Sequence, residues 1–179
     1  MMTADLGPRS PLGAARLAEL NLFTTVAHHA ELFPAWMRFA RKLLVEGSLP
    51  ATDRELVILR VAHRLGSAYE WAHHARIATA VGIDPAAVAQ GRGWDERSRL
   101  LLSAVDELQE RATITDPTWA GLRRHLTTPQ LIELPVLAGH YVLLAYTLNA
   151  LNIPPDPHPL PVDQGSLEHL LAGKCSKLP

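Results

Sequence analysis

The segment from Arg54 to Ala80 constrains the fold more than any other part of the sequence. It reads RELVILRVAHRLGSAYEWAHHARIATA. Apolar residues lie on nearly all sides of its first half, which predicts a fully buried helix that the other helices surround. The same segment contains two glutamates and three histidines. Titratable side chains are costly to bury without partners, so this segment is where we expect a functional site.

Helical periodicity recurs along the chain, and no segment alternates polar and apolar residues for long enough to form a strand. The 179 residues suffice for one domain with a sizeable core. We therefore predict an all-α fold of about seven or eight helices in residues 14–152. Residues 1–13 are expected to form a flexible arm and residues 153–179 a proline-rich tail, laid over a neighbouring subunit and containing a short helical turn at 166–172.

The predicted helices begin and end at recognisable capping signals. They span residues 14–29, 32–45, 52–65, 67–81, 84–90, 95–111, 116–125 and 128–151. The sequences Thr52–Glu55 and Ser67–Glu70 both match the capping box, in which a hydroxyl and a glutamate three residues later satisfy backbone N–H groups. Pro135 is expected to kink or break the last helix.

Composition excludes several classes of protein. The 17 basic and 18 acidic residues are spread along the chain, which argues against a nucleic-acid partner. No apolar run reaches the roughly 18–20 residues that a membrane span needs. The N-terminus has no apolar signal core, so we expect a cytoplasmic protein without a membrane partner. Cys175 is the single cysteine, which excludes an intrachain disulfide and a Cys-x-x-Cys site.

The fourth predicted helix places titratable groups on one face. Successive residues turn by about 100°, so Ser67, Glu70 and His74 share a stripe, and Glu70 is within reach of His74. A carboxylate beside an imidazole fixes its tautomer and raises its basicity, as a general base requires. His73 and Trp71 point to other faces of this helix.

Less specific interpretations stay open for the same residues. Glu55 and Glu70 could act only as capping-box partners, and a glutamate and a histidine four residues apart also occur as surface pairs. His73 and His74 could contribute to a metal site, but adjacent histidines on a helix diverge. We therefore expect no metal.

The segment RELVILRVAHRLGSAYEWAHHARIATAVGIDPAAV resembles the carboxymuconolactone decarboxylase family, which includes the alkylhydroperoxidase AhpD-like proteins. The resemblance rests on the arginine–glutamate pair that opens an apolar helix, the E-W-x-x-H sequence, and the A-x-x-x-G turn before a short helix. The order of the flanking helices extends it over residues 22–152. It implies an AhpD-like helical domain that assembles into trimers or hexamers.

The peroxidase branch of that family has a glutamate followed twelve residues later by Cys-x-x-Cys-x-x-x-His. The matching positions here are Glu55, Ser67, Glu70 and His74. Serine and glutamate cannot cycle through a disulfide, so thiol peroxidase activity is excluded. The E-W-x-x-H form resembles the decarboxylase branch, which implies acid–base chemistry on a small carboxylated lactone without a metal or organic cofactor.

From this resemblance we predict Glu55, Glu70 and His74 as catalytic residues of a decarboxylase. The predicted substrate-binding residues are Ser67, Tyr69, Trp71, His73 and Tyr141, with His140 and Asn149 as further candidates to close the pocket. One of Arg54, Arg60 and Arg64 would hold a substrate carboxylate. A non-catalytic ligand-binding protein and a lactone hydrolase or isomerase are the alternatives.

Overall fold

The computed structural model describes residues 20–157, which form eight α-helices and no strand. In chain order the helices are α1 (Asn21–Val26), α2 (Leu32–Leu44), α3 (Ala51–Arg64), α4 (Ala68–Ala80), α5 (Pro85–Gln90), α6 (Glu96–Arg111), α7 (Asp116–His125) and α8 (Thr128–Ala150). The all-α prediction is confirmed. The helix predicted for residues 14–29 is shorter at its C-terminal end, and its residues before 20 lie outside the described part.

Helix α3 occupies the centre of the domain, where α4, α5, α6 and α8 pack around it. Four consecutive apolar residues, from Leu56 to Leu59, are buried on all sides of the helix. Burying a side chain of this size contributes about 1.5–3 kcal/mol. The apolar first half of the Arg54–Ala80 segment is therefore the core helix that its pattern predicts.

A tight turn at Gly66 connects α3 to α4. Gly66 has φ +60°, a conformation that residues with a Cβ adopt at a cost. The turn sets α4 back against α3, so that Glu55 of α3 lies beside His74 in the middle of α4.

The two predicted capping boxes are wrong. Helix α3 begins at Ala51 after Pro50, so Thr52 already lies inside the helix and cannot cap it. Ser67 does occupy the N-cap position of α4, but its hydroxyl makes no capping hydrogen bond and is buried. Glu55 and Glu70 are therefore available for contacts other than caps.

Helix α8 runs through Pro135 without a break. Proline removes one N–H donor, but Leu134 and Leu137 on either side are fully buried and anchor both halves in the core. The predicted absence of a sufficiently long apolar run is wrong for α8, because its mean hydropathy of 1.5 and its length would allow it to cross a membrane. Half of that apolar window is buried inside the domain, and core helices of soluble proteins share this composition.

The described part of the C-terminal segment, residues 151–157, folds back over its own chain. Ile153 is buried, and the Asp156 carboxylate accepts a hydrogen bond from the backbone N–H of Asn21 at 2.7 Å. The Asn21 side chain donates to the carbonyl of Pro154 at 3.1 Å. This part of the tail thus packs against α1 of its own chain. The helical turn predicted at 166–172 lies outside the described residues.

Candidate active site

Four buried side chains form a continuous chain of hydrogen bonds from α2 to α8. Arg54 donates to the carbonyl of Leu44 at 2.8 Å and to Glu55 Oε1 at 3.1 Å. The other oxygen of Glu55 lies 2.7 Å from His74 Nδ1. Because the guanidinium and the carboxylate are paired and hydrogen-bonded, both charges can remain in the interior.

The pairing with Glu55 determines how His74 presents its second nitrogen. A carboxylate can only accept, so Nδ1 carries the proton and donates it to Glu55. Nε2 of the neutral ring is then an acceptor, and it lies 3.1 Å from the Tyr141 hydroxyl, which donates to it. Burial, with the carboxylates of Glu55 and Glu70, raises the pKa of Tyr141 well above its usual range. The tyrosine therefore stays protonated at rest.

Glu70 has no such partner. Only 2% of it is exposed, and neither carboxyl oxygen makes a hydrogen bond of normal geometry. Burial raises the pKa of Glu70 from 4.5 to about 8, opposed in part by the neighbouring Ser67 hydroxyl. The carboxyl group is thus protonated at neutral pH and can act as an O–H donor. His74, four residues further along α4, pairs with Glu55 and not with Glu70.

These groups border a cavity of about 60 Å³ between α1, α2, α4 and α8. At about 30 Å³ for each water molecule in the liquid, it has room for roughly two. Glu70, His74 and Tyr141 line it, and the rest of the wall is largely apolar: Leu20, Leu22, Phe23, Trp36, Ala40, Leu44, Tyr69, His73, His140 and Leu144.

His140 is a second unpartnered polar group on the cavity wall. Its ring stacks on Trp36 at 6.3 Å between centroids and meets the edge of Phe39 at 5.3 Å. Its Nε2 atom is buried without a hydrogen bond. Burial, with a smaller effect from His74, lowers the pKa of His140 to about 4, so its ring is neutral at pH 7.

A second cluster joins Tyr69 and His73 of α4 to Asp156. The Tyr69 hydroxyl donates to Asp156 Oδ2, and His73 Nε2 lies 2.9 Å from the same oxygen. Burial alone would raise the pKa of Asp156, but hydrogen bonds from His73, the Asn21 backbone and Tyr69 lower it below 3.8. We call Asn21, Tyr69, His73 and Asp156 the Asp156 clasp. It holds the cavity-lining side chains of Tyr69 and His73 in place. Asp156 is absent from the sequence-based predictions.

The other predicted residues are more scattered. Ser67 is buried but does not line the cavity. Trp71 packs against His63 at 5.9 Å between ring centroids, away from the cavity. Asn149 donates to the carbonyl of Leu65 and is exposed, so its predicted role in closing the pocket is wrong.

None of the three arginines considered as carboxylate ligands reaches the cavity. Arg54 pairs with Glu55 behind His74. Arg60 forms a two-bond ion pair with Asp106 at 2.7 and 2.8 Å, and Arg64 pairs with Glu110 at 2.7 Å. Each guanidinium is held by a carboxylate elsewhere in the domain.

Within residues 20–157, no group of three or more histidine, cysteine, aspartate or glutamate side chains has a metal-binding arrangement. His73 and His74 pair with different carboxylates, Asp156 and Glu55. The two rings therefore do not converge on one point.

The described helices form an all-α domain with a carboxylate–histidine pair beside a small cavity. Residues 30–99 match the model of the carboxymuconolactone decarboxylase family. The match confirms the resemblance predicted from the sequence and contains Glu55, Glu70 and His74. No curated protein matches the chain in sequence.

Three examples show which solved structures have a similar fold. A protein of unknown function from Agrobacterium tumefaciens, with a suggested identity as the antioxidant defence protein AhpD, is 17% identical, with a TM-score of 0.67 over 75% of this chain and 97% of its own. An uncharacterized peroxidase-related protein from Silicibacter sp. TM1040 is 16% identical, with a TM-score of 0.69 over 76% of each chain. An alkylhydroperoxidase AhpD core from Ralstonia eutropha JMP134, also an uncharacterized peroxidase-related protein, is 18% identical, with a TM-score of 0.68 over 84% of this chain and 94% of its own. These similarities establish the AhpD-like fold.

Proposed function

We propose that this protein is an acid–base enzyme that moves a proton on a small carbonyl compound bound in the cavity. One observation carries the proposal: the buried hydrogen-bonded chain Arg54–Glu55–His74–Tyr141 ends at the cavity. A histidine whose ring is oriented by a hydrogen bond to a carboxylate is the usual general base of such reactions. A capping or purely structural role for Glu55 would not require this alignment.

The proton moves between the substrate carbon and His74. As Nε2 of His74 takes the hydroxyl proton of Tyr141, the hydroxyl oxygen takes a proton from the carbon next to the substrate carbonyl. The electron pair of the broken C–H bond moves toward the carbonyl oxygen and forms an enolate. The protonated carboxyl of Glu70 donates a hydrogen bond to that oxygen, where negative charge develops.

Decarboxylation of a small carboxylated lactone is the specific reaction that the family resemblance suggests. Here the C–C bond to the carboxylate breaks, carbon dioxide leaves, and its bonding electrons form the same enolate. This reaction starts from the imidazolium form of His74: the Tyr141 hydroxyl proton passes to the carbon as Nε2 of His74 gives its proton to the Tyr141 oxygen. His74 then takes up a replacement proton from solvent. A lactone isomerase would instead form the enolate by removing a proton from carbon and would then return a proton to carbon, without loss of carbon dioxide. Product analysis therefore distinguishes the two reactions.

The test is deuterium exchange into a panel of small lactones, together with carbon dioxide release from their carboxylated forms. His74→Gln is expected to lower either rate by about 10²–10⁴-fold, the usual contribution of a general base. His63→Gln is the matched control, because His63 is exposed, packs against Trp71 and does not line the cavity. Equal rates in the wild type and His74→Gln would contradict the proposal, and a wild type without activity would favour a ligand-binding protein.

We also propose that the protein assembles with copies of itself through α8. Ile132, Val136, Leu143 and Tyr146 are 41–63% exposed and lie along one side of the helix. Their spacing of four, seven and three residues is that of a helix–helix contact seam. Trimers or hexamers are the states that the resemblance suggests.

A further inference from the structure

We infer that the cavity binds its ligand in an electrically neutral form. The polar group of the ligand is held between the Glu70 carboxyl and the His140 imidazole. A neutral lactone would bind as it is, whereas a carboxylate would bind only together with a proton. The inference rests on the proposed function in one respect, because it takes this cavity as the substrate site.

The first reason is that two buried polar side chains from different helices border one cavity. Glu70 is 2% exposed and His140 is 4% exposed, and both line the cavity from different helices. Within residues 20–157, Nε2 of His140 has no hydrogen-bond partner, and the Glu70 carboxyl has none besides the neighbouring Ser67 hydroxyl. A buried polar atom without a partner is costly, and a ligand that bonds to both groups removes that cost.

The second reason is that the wall offers no cation to a carboxylate. Within residues 20–157, neither a lysine nor an arginine side chain lines the cavity, and leucine, phenylalanine, tryptophan and alanine make up about half of its lining residues. A carboxylate buried against such a wall would lose its hydration without gaining an ion pair.

The third reason is that the charges around the cavity are already paired. From α3, Arg54 and Glu55 neutralise each other behind His74. From the C-terminal segment, Asp156 is bound by His73 and Tyr69 of α4. Tyr141 of α8 is protonated, and the cavity-lining residues of α1 and α2 are all apolar except for the indole N–H of Trp36.

This arrangement has a measurable consequence for pH dependence. Between about pH 5 and pH 7, Glu70 is protonated and His140 is neutral, since burial moves their pKa values to about 8 and about 4. The affinity for a neutral ligand is then constant. A ligand that is a carboxylate in solution must take up one proton, so its affinity falls about tenfold for each pH unit.

The experiment is calorimetric titration of the wild type with two probes, γ-butyrolactone and its carboxylated analogue 5-oxotetrahydrofuran-2-carboxylate. Two buffers with different ionisation enthalpies report the number of protons taken up. We expect no uptake for the lactone and about one proton for each carboxylate bound. Carboxylate binding without proton uptake overturns the inference, and so does failure of both probes to bind.

Two variants assign the effect to named groups. Lactone affinity in the wild type should fall above about pH 8 as Glu70 ionises, but should stay constant in Glu70→Gln. His140→Phe should bind the lactone roughly three- to tenfold more weakly, the value of one lost hydrogen bond. Glu110→Gln, an exposed glutamate on α6, is the matched control and should behave like the wild type. Identical pH profiles for the wild type and Glu70→Gln overturn the inference.

The titration requires binding and not turnover. A wild type that binds the lactone with these profiles but catalyses no proton exchange would overturn the proposed function and leave this inference intact. A wild type that exchanges protons but binds the carboxylate as an anion would give the opposite result.

Discussion

Replacing Glu70 by glutamine is expected to remove a loss of stability that the wild-type protein undergoes as the pH rises. Burial raises the pKa of the Glu70 carboxyl from 4.5 to about 8 in the folded state. The folded protein therefore holds a proton that the unfolded chain releases near its ordinary pKa. The stabilisation is complete below about pH 4.5 and is lost as the pH rises toward about 8.

The size of the effect follows from the shift. Each pH unit in which only the folded state binds the proton changes the free energy of unfolding by about 1.4 kcal/mol. From about pH 5 to about pH 7, the wild type should lose about 2–3 kcal/mol relative to Glu70→Gln. The glutamine side chain has nearly the same shape but does not titrate, so any cost of burying its amide is the same at every pH.

Urea unfolding followed by circular dichroism at pH 5, 6, 7 and 8 measures this difference. His140 also titrates, with its pKa lowered to about 4, and it destabilises the fold as the pH falls below about 6.5. Both proteins contain His140, so its contribution cancels in the comparison. Glu110→Gln at the surface should differ little from the wild type at any pH. A Glu70→Gln difference that stays constant over this range would show that the carboxyl is ionised or hydrated in the folded protein.

Three further substitutions test other parts of the structure. Asp156→Asn should lower stability at neutral pH by about 1.5–3 kcal/mol, since hydrogen bonds to a charged acceptor are lost. Because the pKa of Asp156 is lowered below 3.8, the difference in thermal melts should persist down to that pH and shrink only as the pH falls further, through the pKa of the folded state. Glu55→Gln should cost about 3–5 kcal/mol in urea unfolding by leaving Arg54 buried without its carboxylate, and a stable variant would contradict the buried ion pair. Leu143→Lys should dissociate the proposed oligomer, as light scattering would show, without loss of helicity, because Leu143 is 52% exposed; an unchanged molar mass would place the contact elsewhere.

The helices were predictable because their signals are local. Asp84 and Asp95 precede α5 and α6, and each accepts a backbone hydrogen bond from the first turn of its helix. The same kind of signal failed at Glu55 and Glu70, since a hydroxyl followed three residues later by glutamate fits both a capping box and a helix whose glutamate faces inward. Only the packing of α4 on α3 distinguishes the two.

The sequence predicts which residue types lie at the candidate site, but not which of their side chains form hydrogen bonds with each other. Helical spacing correctly places Glu70 and His74 on one face, but it cannot reveal that His74 pairs with Glu55 of α3. Asp156 lies 83 residues from His73 in a proline-rich stretch that resembles a tail. A carboxylate between prolines carries no local signal of burial, so this contact follows only from the folded chain.

The Asp156 clasp also bears on the order in which this protein folds and opens. Asn21 and Asp156 are 135 positions apart, so their contact closes nearly the whole described chain into a loop. Contacts of such long range incur the largest loop-closure entropy and are expected to form after the local helical hairpins. They are also natural sites of local opening in the native state. Hydrogen exchange at the Asn21 amide should therefore be faster than at the α3 core, which would make this side of the cavity the first to admit solvent.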